Sequence, residues 1–211
     1  MKYSHIIWDV DGTLLHTQQG VLQAVKYVLQ KHSYPTLSFE DEQKVLATPK
    51  IQDAFKNYCN IDNETALIYA DEYREIYKTK FLFEAEPYHN IINVLQILSD
   101  HDCRQAIVTN KRHDYATLIC QHFGLDKFCD FVYGAGISNT TKKSEIIQLC
   151  MRQWNVHNSS GVMIGDTDGD KNAAQEADIN FIGVNYGYGF KNIIDYVNKP
   201  TDILQKLEII N

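Results

Sequence analysis

A chain of 211 residues, 44% hydrophobic and 22% charged, has the balance of a globular protein that buries its core without disulfides or structural metal. Its formal net charge of −7 repels phosphate backbones, and no Lys/Arg run creates a basic patch, so no nucleic-acid partner is expected. Five scattered cysteines, with no C-x-x-C pair and no zinc spacing, are expected to be reduced and mostly buried. No stretch approaches the ~20 apolar residues that span a bilayer. The N-terminus shows no long apolar signal region, so a cytoplasmic location without a membrane partner is expected.

In chain order, the apolar run His5-Ile6-Ile7-Trp8 breaks off at Asp9-Val10-Asp11-Gly12-Thr13, the form of a buried parallel strand ending in a turn. The stretch from Thr17 to Phe83 then reads as helical throughout. Val21, Leu22, Val25, Val28 and Leu29 fall at helical spacing, as do Ile51, Ala54, Phe55 and Tyr58, and Glu64 to Tyr77 is a further helix. Ser38 and Asp41 offer a capping box ahead of Val45-Leu46.

After this stretch, strands and helices alternate. Strands are expected at Ala106-Ile107-Val108, Val162-Met163-Ile164 and Phe181 to Val184, with a further one between Phe128 and Val132. The helices between them carry Ile91, Ile92, Leu95 and Leu98, then Tyr115, Leu118, Ile119 and Phe123 with Gly124 as stop, then Ile146, Ile147, Leu149 and Cys150. Such alternation predicts an α/β fold with a doubly wound parallel sheet. The expected organisation is a core of residues 1–16 and 84–211 with an inserted helical lid over 17–83.

Ligands of open α/β sheets collect beyond the carboxyl ends of the strands. Polar residues stand at those ends: Asp9 and Asp11 after one strand, Thr109 and Asn110 after a second, Asp166 and Asp170 after a third, with Lys143 opening the helix before the third. A single Asp-x-Asp is as well read as a turn former. Four carboxylates converging from two strands are harder to read so, because close pairs repel by several kcal/mol at an effective dielectric of about 20. Hard oxygens with room left for water and phosphate favour Mg²⁺. If Asp11 is protonated, as a general acid must be, the remaining carboxylates balance Mg²⁺ plus Lys143. A dianionic phosphate would then rely on backbone N–H groups, Thr109 and Lys143.

These residues resemble the signatures of the haloacid dehalogenase superfamily, in the phosphoglycolate-phosphatase-like subfamily with a helical cap. Asp9-Val10-Asp11-Gly12-Thr13-Leu14 is similar to the first signature, Thr109-Asn110 to the second, Lys143 to the third and Gly165-Asp166-Thr167-Asp168-Gly169-Asp170 to the fourth. The resemblance runs over essentially the whole chain. It implies a Rossmann-like core, and a phosphatase acting on a small phosphorylated metabolite. It implies Asp9 as nucleophile and Asp11 as acid/base, with Mg²⁺ held by the Asp9 and Asp166 carboxylates and the Asp11 backbone carbonyl. Thr109, Asn110 and Lys143 would bind the phosphoryl oxygens, and Asp170 would support the metal's waters or Lys143.

The chain departs from the family at His16-Thr17, in the hinge into the cap, and at Lys142-Lys143-Ser144, where Lys142 is an alternative to Lys143. His16 and Lys50 are candidate substrate contacts, each as readily read as a hinge or solvated residue. Gly187-Tyr188-Gly189 resembles the family's closing loop, with no direct part in chemistry expected. A sugar phosphomutase, pyrophosphatase or nucleotidase would use the same residues, and a receiver-type signalling domain is the alternative from another class. That last fold places its phosphoacceptor Asp after a middle strand, and no Asp ends Ala106–Val108. Monomer or weak homodimer is the default assembly.

Overall fold

The computed structural model describes residues 3–48, 50–140 and 142–209. They divide into two compact units, one of residues 1–16 and 86–211 and one of residues 17–85.

The first unit opens with β1 (His5–Trp8) and then β2 (Leu15–His16). The chain next builds the second unit from α1 (Gln18–Lys31), α2 (Phe39–Ala47), α3 (Ile51–Cys59), α4 (Asn63–Ile76) and a π-helical turn at Tyr77–Phe81. It returns through β3 (Glu86–Pro87), which pairs antiparallel with β2. The remainder is α5 (Ile91–Asp100), β4 (Arg104–Arg112), α6 (His113–His122), β5 (Phe131–Ala135), α7 (Lys143–Trp154), β6 (Gly161–Gly165), α8 (Asp168–Glu176), β7 (Asn180–Gly183) and α9 (Asp202–Lys206).

Five strands form a parallel sheet in the order β5-β4-β1-β6-β7. β1 is the central strand, and Ile6, Ile7 and Trp8 are completely buried. Burial of such side chains stabilises by about 1.5–3 kcal/mol each. Because side chains alternate along a strand, Ile7 joins Met163, Ala106 and Val108 in packing on Ile146, Ile147 and Cys150 of α7 and Ala173 and Ala174 of α8. On the opposite face, Trp8 donates its indole N–H to Gln105 at 3.1 Å, and Gln105 in turn donates to the Leu95 carbonyl of α5 at 3.0 Å. Helices on both faces make the sheet doubly wound.

Local details depart from the sequence pattern in instructive ways. β4 runs four residues beyond Val108, so Thr109 and Asn110 lie within the strand. β5 begins at Phe131, because a 3₁₀ turn occupies Leu125–Phe128. In α5 the buried positions are Ile91, Val94, Leu95 and Leu98, with Ile92 exposed; in α6, Leu118 is exposed and Ala116 and Cys120 are buried. The Ser38–Asp41 capping box is present, each residue's side chain accepting the other's N–H.

The helical unit holds together through Leu22, Val25, Val28 and Leu29 of α1, Phe55 of α3 and Tyr69, Tyr73 and Tyr77. Tyr73 and Tyr77 stack at 5.4 Å, and the His32 ring stacks on Tyr69 at 3.9 Å. No helix of the described residues is long and apolar enough to cross a membrane. The cysteines are free thiols, with Cys103, Cys120 and Cys150 buried.

Candidate active site

Register brings polar residues of three neighbouring strands to one edge of the sheet. Trp8 pairs with Ile107 of β4 and with Ile164 of β6. One residue past Trp8 comes Asp9, two past Ile107 comes Thr109, and two past Ile164 comes Asp166. All three side chains are buried, none with more than 6% of its surface exposed. β1 then turns sharply: the Leu14 and Leu15 N–H groups both donate to the Val10 carbonyl, and Gly12 takes a φ of +81°. A Cβ at Gly12 would collide with the Asp166 carboxylate, so only glycine fits here.

The Lys143 side chain reaches the same place from the first residue of α7. Its ammonium donates to Asp9 Oδ1 at 2.5 Å and also to Asp170 Oδ1. Burial alone would lower the Lys143 ammonium, but the Asp170 and Asp9 carboxylates hold it above the ordinary lysine range. Lys142 is exposed, at the N-cap position of α7. Asp170 also closes the capping box of α8, where its Oδ2 accepts from the Thr167 hydroxyl at 2.7 Å and the Thr167 N–H at 3.0 Å. Both Asp170 oxygens are thus engaged within the protein.

Carboxylate oxygens of Asp9, Asp166 and Asp170 lie within 4.8 Å of one another, the one such cluster found among the described residues. Burial pushes Asp9 well above the ordinary carboxylate range; Lys143 pulls against it, while Asp170, Asp166 and Asp11 add to the rise. Asp166 is pushed up to about 6, first by burial and then by Asp170, against the Tyr188 and Gly189 N–H groups and Lys143.

A family model of haloacid dehalogenase-like hydrolases matches residues 6–184. The chain belongs to that family. It is 26% identical to a 5'-nucleotidase of Pseudomonas aeruginosa over 190 residues, covering 90% of this chain and 86% of that protein. It is 25% identical to a phosphoglycolate phosphatase of Caulobacter vibrioides over 188 residues, covering 87% and 79%. Among solved structures, a predicted phosphatase from Clostridium acetobutylicum superposes with a TM-score of 0.89 at 28% identity, covering 100% of both chains.

This haloacid dehalogenase-like hydrolase carries two features at its site that sequence reasoning passes over. Asp11 turns its carboxylate to Lys111, whose ammonium stands 3.1 Å from Oδ1. A second lysine therefore stands among these acids. The only signal in the sequence is a lysine two residues past Thr109. The closing loop also acts on the site directly: the Tyr188 N–H donates to Asp166 Oδ2 at 2.6 Å and the Gly189 N–H at 3.4 Å, while Thr13 donates to Oδ1 at 3.3 Å.

Of the remaining candidates, Thr109 is buried and its hydroxyl accepts the Lys111 N–H, while Asn110 is exposed. His16 lies on the β2–β3 ribbon, edge-on to Tyr88 at 5.6 Å and to Tyr188 at 6.0 Å. Lys50 is an exposed N-cap of α3 in the helical unit, and Pro49 beside it lies outside the described residues.

Proposed function

We propose that the protein is a Mg²⁺-dependent phosphatase that hydrolyses a small phosphate monoester through an aspartyl-phosphate on Asp9. The observation that carries this reading is the Lys143 clamp on Asp9 Oδ1 at the mouth of the sheet, beside a cluster of acids. With one oxygen held by the ammonium, the other is left to attack phosphorus. Asp11 enters the reaction with a proton on the oxygen that does not face Lys111 and gives it to the departing alkoxide; the carboxylate so formed then takes a proton from the water that clears the aspartyl-phosphate. Thr109 and Asn110 bind phosphoryl oxygens together with Lys143, and the helical unit over residues 17–85 acts as the cap that selects the substrate.

The donor set fits Mg²⁺. It consists of hard carboxylate oxygens, two of the acids are pushed toward their neutral forms without a cation, and Asp170 is already committed to Lys143 and Thr167. Asp9 and Asp166 would hold the ion, joined by the Asp11 backbone carbonyl. When bound, the ion neutralises charge on the phosphoryl group and leaves the remaining donors free to position it.

The test is phosphate release from a panel of phosphorylated metabolites with and without Mg²⁺. The panel includes a nucleoside 5'-monophosphate and 2-phosphoglycolate, the compound types that two relatives are named for, and pyrophosphate. Turnover should need the metal and vanish in Asp9→Asn, which should form no phosphoenzyme. Mg²⁺ should also raise the melting temperature of the wild type, by the equivalent of about 2.7 kcal/mol at a hundredfold excess over Kd. That shift should be lost in Asp166→Asn. Full turnover in chelator, or by Asp9→Asn, would overturn the reading.

A further inference from the structure

β4 shifts register just where the site begins. Its pairing with β5 runs to Thr109–Gly134 and resumes at Arg112–Ala135, so Asn110 and Lys111 are extra residues on one strand. Such irregularities bend a strand and re-aim the side chains they carry, and they are enriched beside active sites. Here the side chain delivered is Lys111. Its backbone is held twice. The Lys111 N–H donates to the Thr109 hydroxyl at 3.3 Å, and its carbonyl packs so tightly on Gly134 that a Cβ there would overlap it.

From that fixed base the side chain runs inward, only 7% exposed, and ends 3.1 Å from Asp11 Oδ1. This oxygen is buried and accepts no hydrogen bond among the described residues, which leaves the ion pair with Lys111 as its charged contact. A lysine on a surface strand end would leave its ammonium in water; desolvating it costs several kcal/mol unless a carboxylate meets it. Each carboxylate of Asp9-Val10-Asp11 therefore has an ammonium: Lys143 for Asp9 and Lys111 for Asp11.

We propose that Lys111 is a positioning residue for Asp11, holding its carboxylate in the orientation from which it serves the leaving group and then the attacking water. The inference rests on the phosphatase reading. Lys111 does not touch the phosphoryl group; it acts through Asp11.

The experiment is a double-mutant cycle on the full chain with Mg²⁺ and a panel compound that the wild type hydrolyses. Lys111→Met keeps the aliphatic stem and removes the charge; Lys111→Arg keeps the charge. Lys111→Met should lower kcat by about 10²-fold, with KM changed by no more than about threefold. It should accumulate phosphoenzyme on an activated aryl phosphate, and Lys111→Arg should recover most of the loss. In an Asp11→Asn background the same Lys111→Met change should cost nothing further, because residues that act as one unit do not add. Gly134→Ala, which displaces the Lys111 backbone and leaves the charge, should behave alike and covers the case of Lys111→Met failing to fold. A KM rise at constant kcat, or an undiminished Lys111→Met penalty in Asp11→Asn, overturns the inference while the phosphatase reading stands. A wild type inert towards the whole panel overturns both.

Discussion

At the scale of single residues, the site separates two acids of the same type by what surrounds them. Asp9 is buried and clamped by Lys143; Asp11 keeps 30% of its side chain exposed and faces Lys111. Their isosteric variants should therefore fail differently. Asp9→Asn should abolish the phosphoenzyme, whereas Asp11→Asn should slow turnover about 10²–10⁴-fold and leave the aspartyl-phosphate trapped. Intact-protein mass after mixing with an aryl phosphate reads the difference, and label on any other residue would sink the assignment. Lys143→Met should lose activity while Lys142→Met retains it, since the Lys142 side chain is exposed. Three of the four signature stretches stand out in the sequence as contiguous polar breaks after an apolar run, and Lys143 stands out as the opening of a helix with an apolar stripe. Lys111 does not, since nothing local distinguishes a lysine aimed inward by a register shift from one left in solvent. The hold of Tyr188 and Gly189 on Asp166 was hidden for another reason: its partners are more than twenty residues apart in the chain.

At the scale of elements, local chemistry was legible and tertiary choice was not. The Ser38–Asp41 box lies within one helical turn, so its sequence suffices to announce it. Ser38→Ala should cost about 1 kcal/mol in chemical denaturation of the helical unit. By contrast, whether Ile92 or Val94 faces the core depends on what α5 packs against, and a periodic pattern offers both. At the C-terminal end of α1, Lys31 and His32 both meet Glu72 of α4 at 2.8 Å. Burial raises the Glu72 carboxyl, but its hydrogen bonds from Lys31 and His32 outweigh that, leaving it below the ordinary value. A carboxyl lowered in the folded state stabilises fully above its unfolded value and loses that contribution as pH falls through its folded value. Glu72→Gln should therefore melt lower than the wild type at pH 7, by a modest margin because the partners are partly exposed. The two melting curves should converge below about pH 4. A gap that persists in acid would mean the glutamate contributes by packing alone.

At the scale of the whole molecule, the alternation of apolar runs and helical stripes predicts a parallel sheet, but strand order is set by which edges meet. That information is spread over the chain, and β4 and β6 flank β1 without any local mark. The helical unit leaves and returns at neighbouring points, because β2 and β3 pair with Leu15 opposite Pro87 and His16 opposite Glu86. Replacing residues 17–85 with a short linker should leave a folded core that still forms phosphoenzyme from an aryl phosphate. Its discrimination among metabolites should be lost if the helical unit selects the substrate. A shortened protein with the parent's substrate ranking would refute that role.

The central place of β1 also shapes the birth of the protein. The first strand of the sheet to leave the ribosome needs β4, about a hundred residues later, on one edge and β6, beginning at Gly161, on the other. Until then, His5-Ile6-Ile7-Trp8 is an unpaired sticky segment, the kind of surface that chaperones cover and that drives aggregation when synthesis stalls. The same delay guards the cell: a chain released before Gly161 has made Asp9 but lacks Asp166 and the strand that carries it. Prematurely terminated fragments should be insoluble and chemically silent, so activity emerges only once the message has been read past β6.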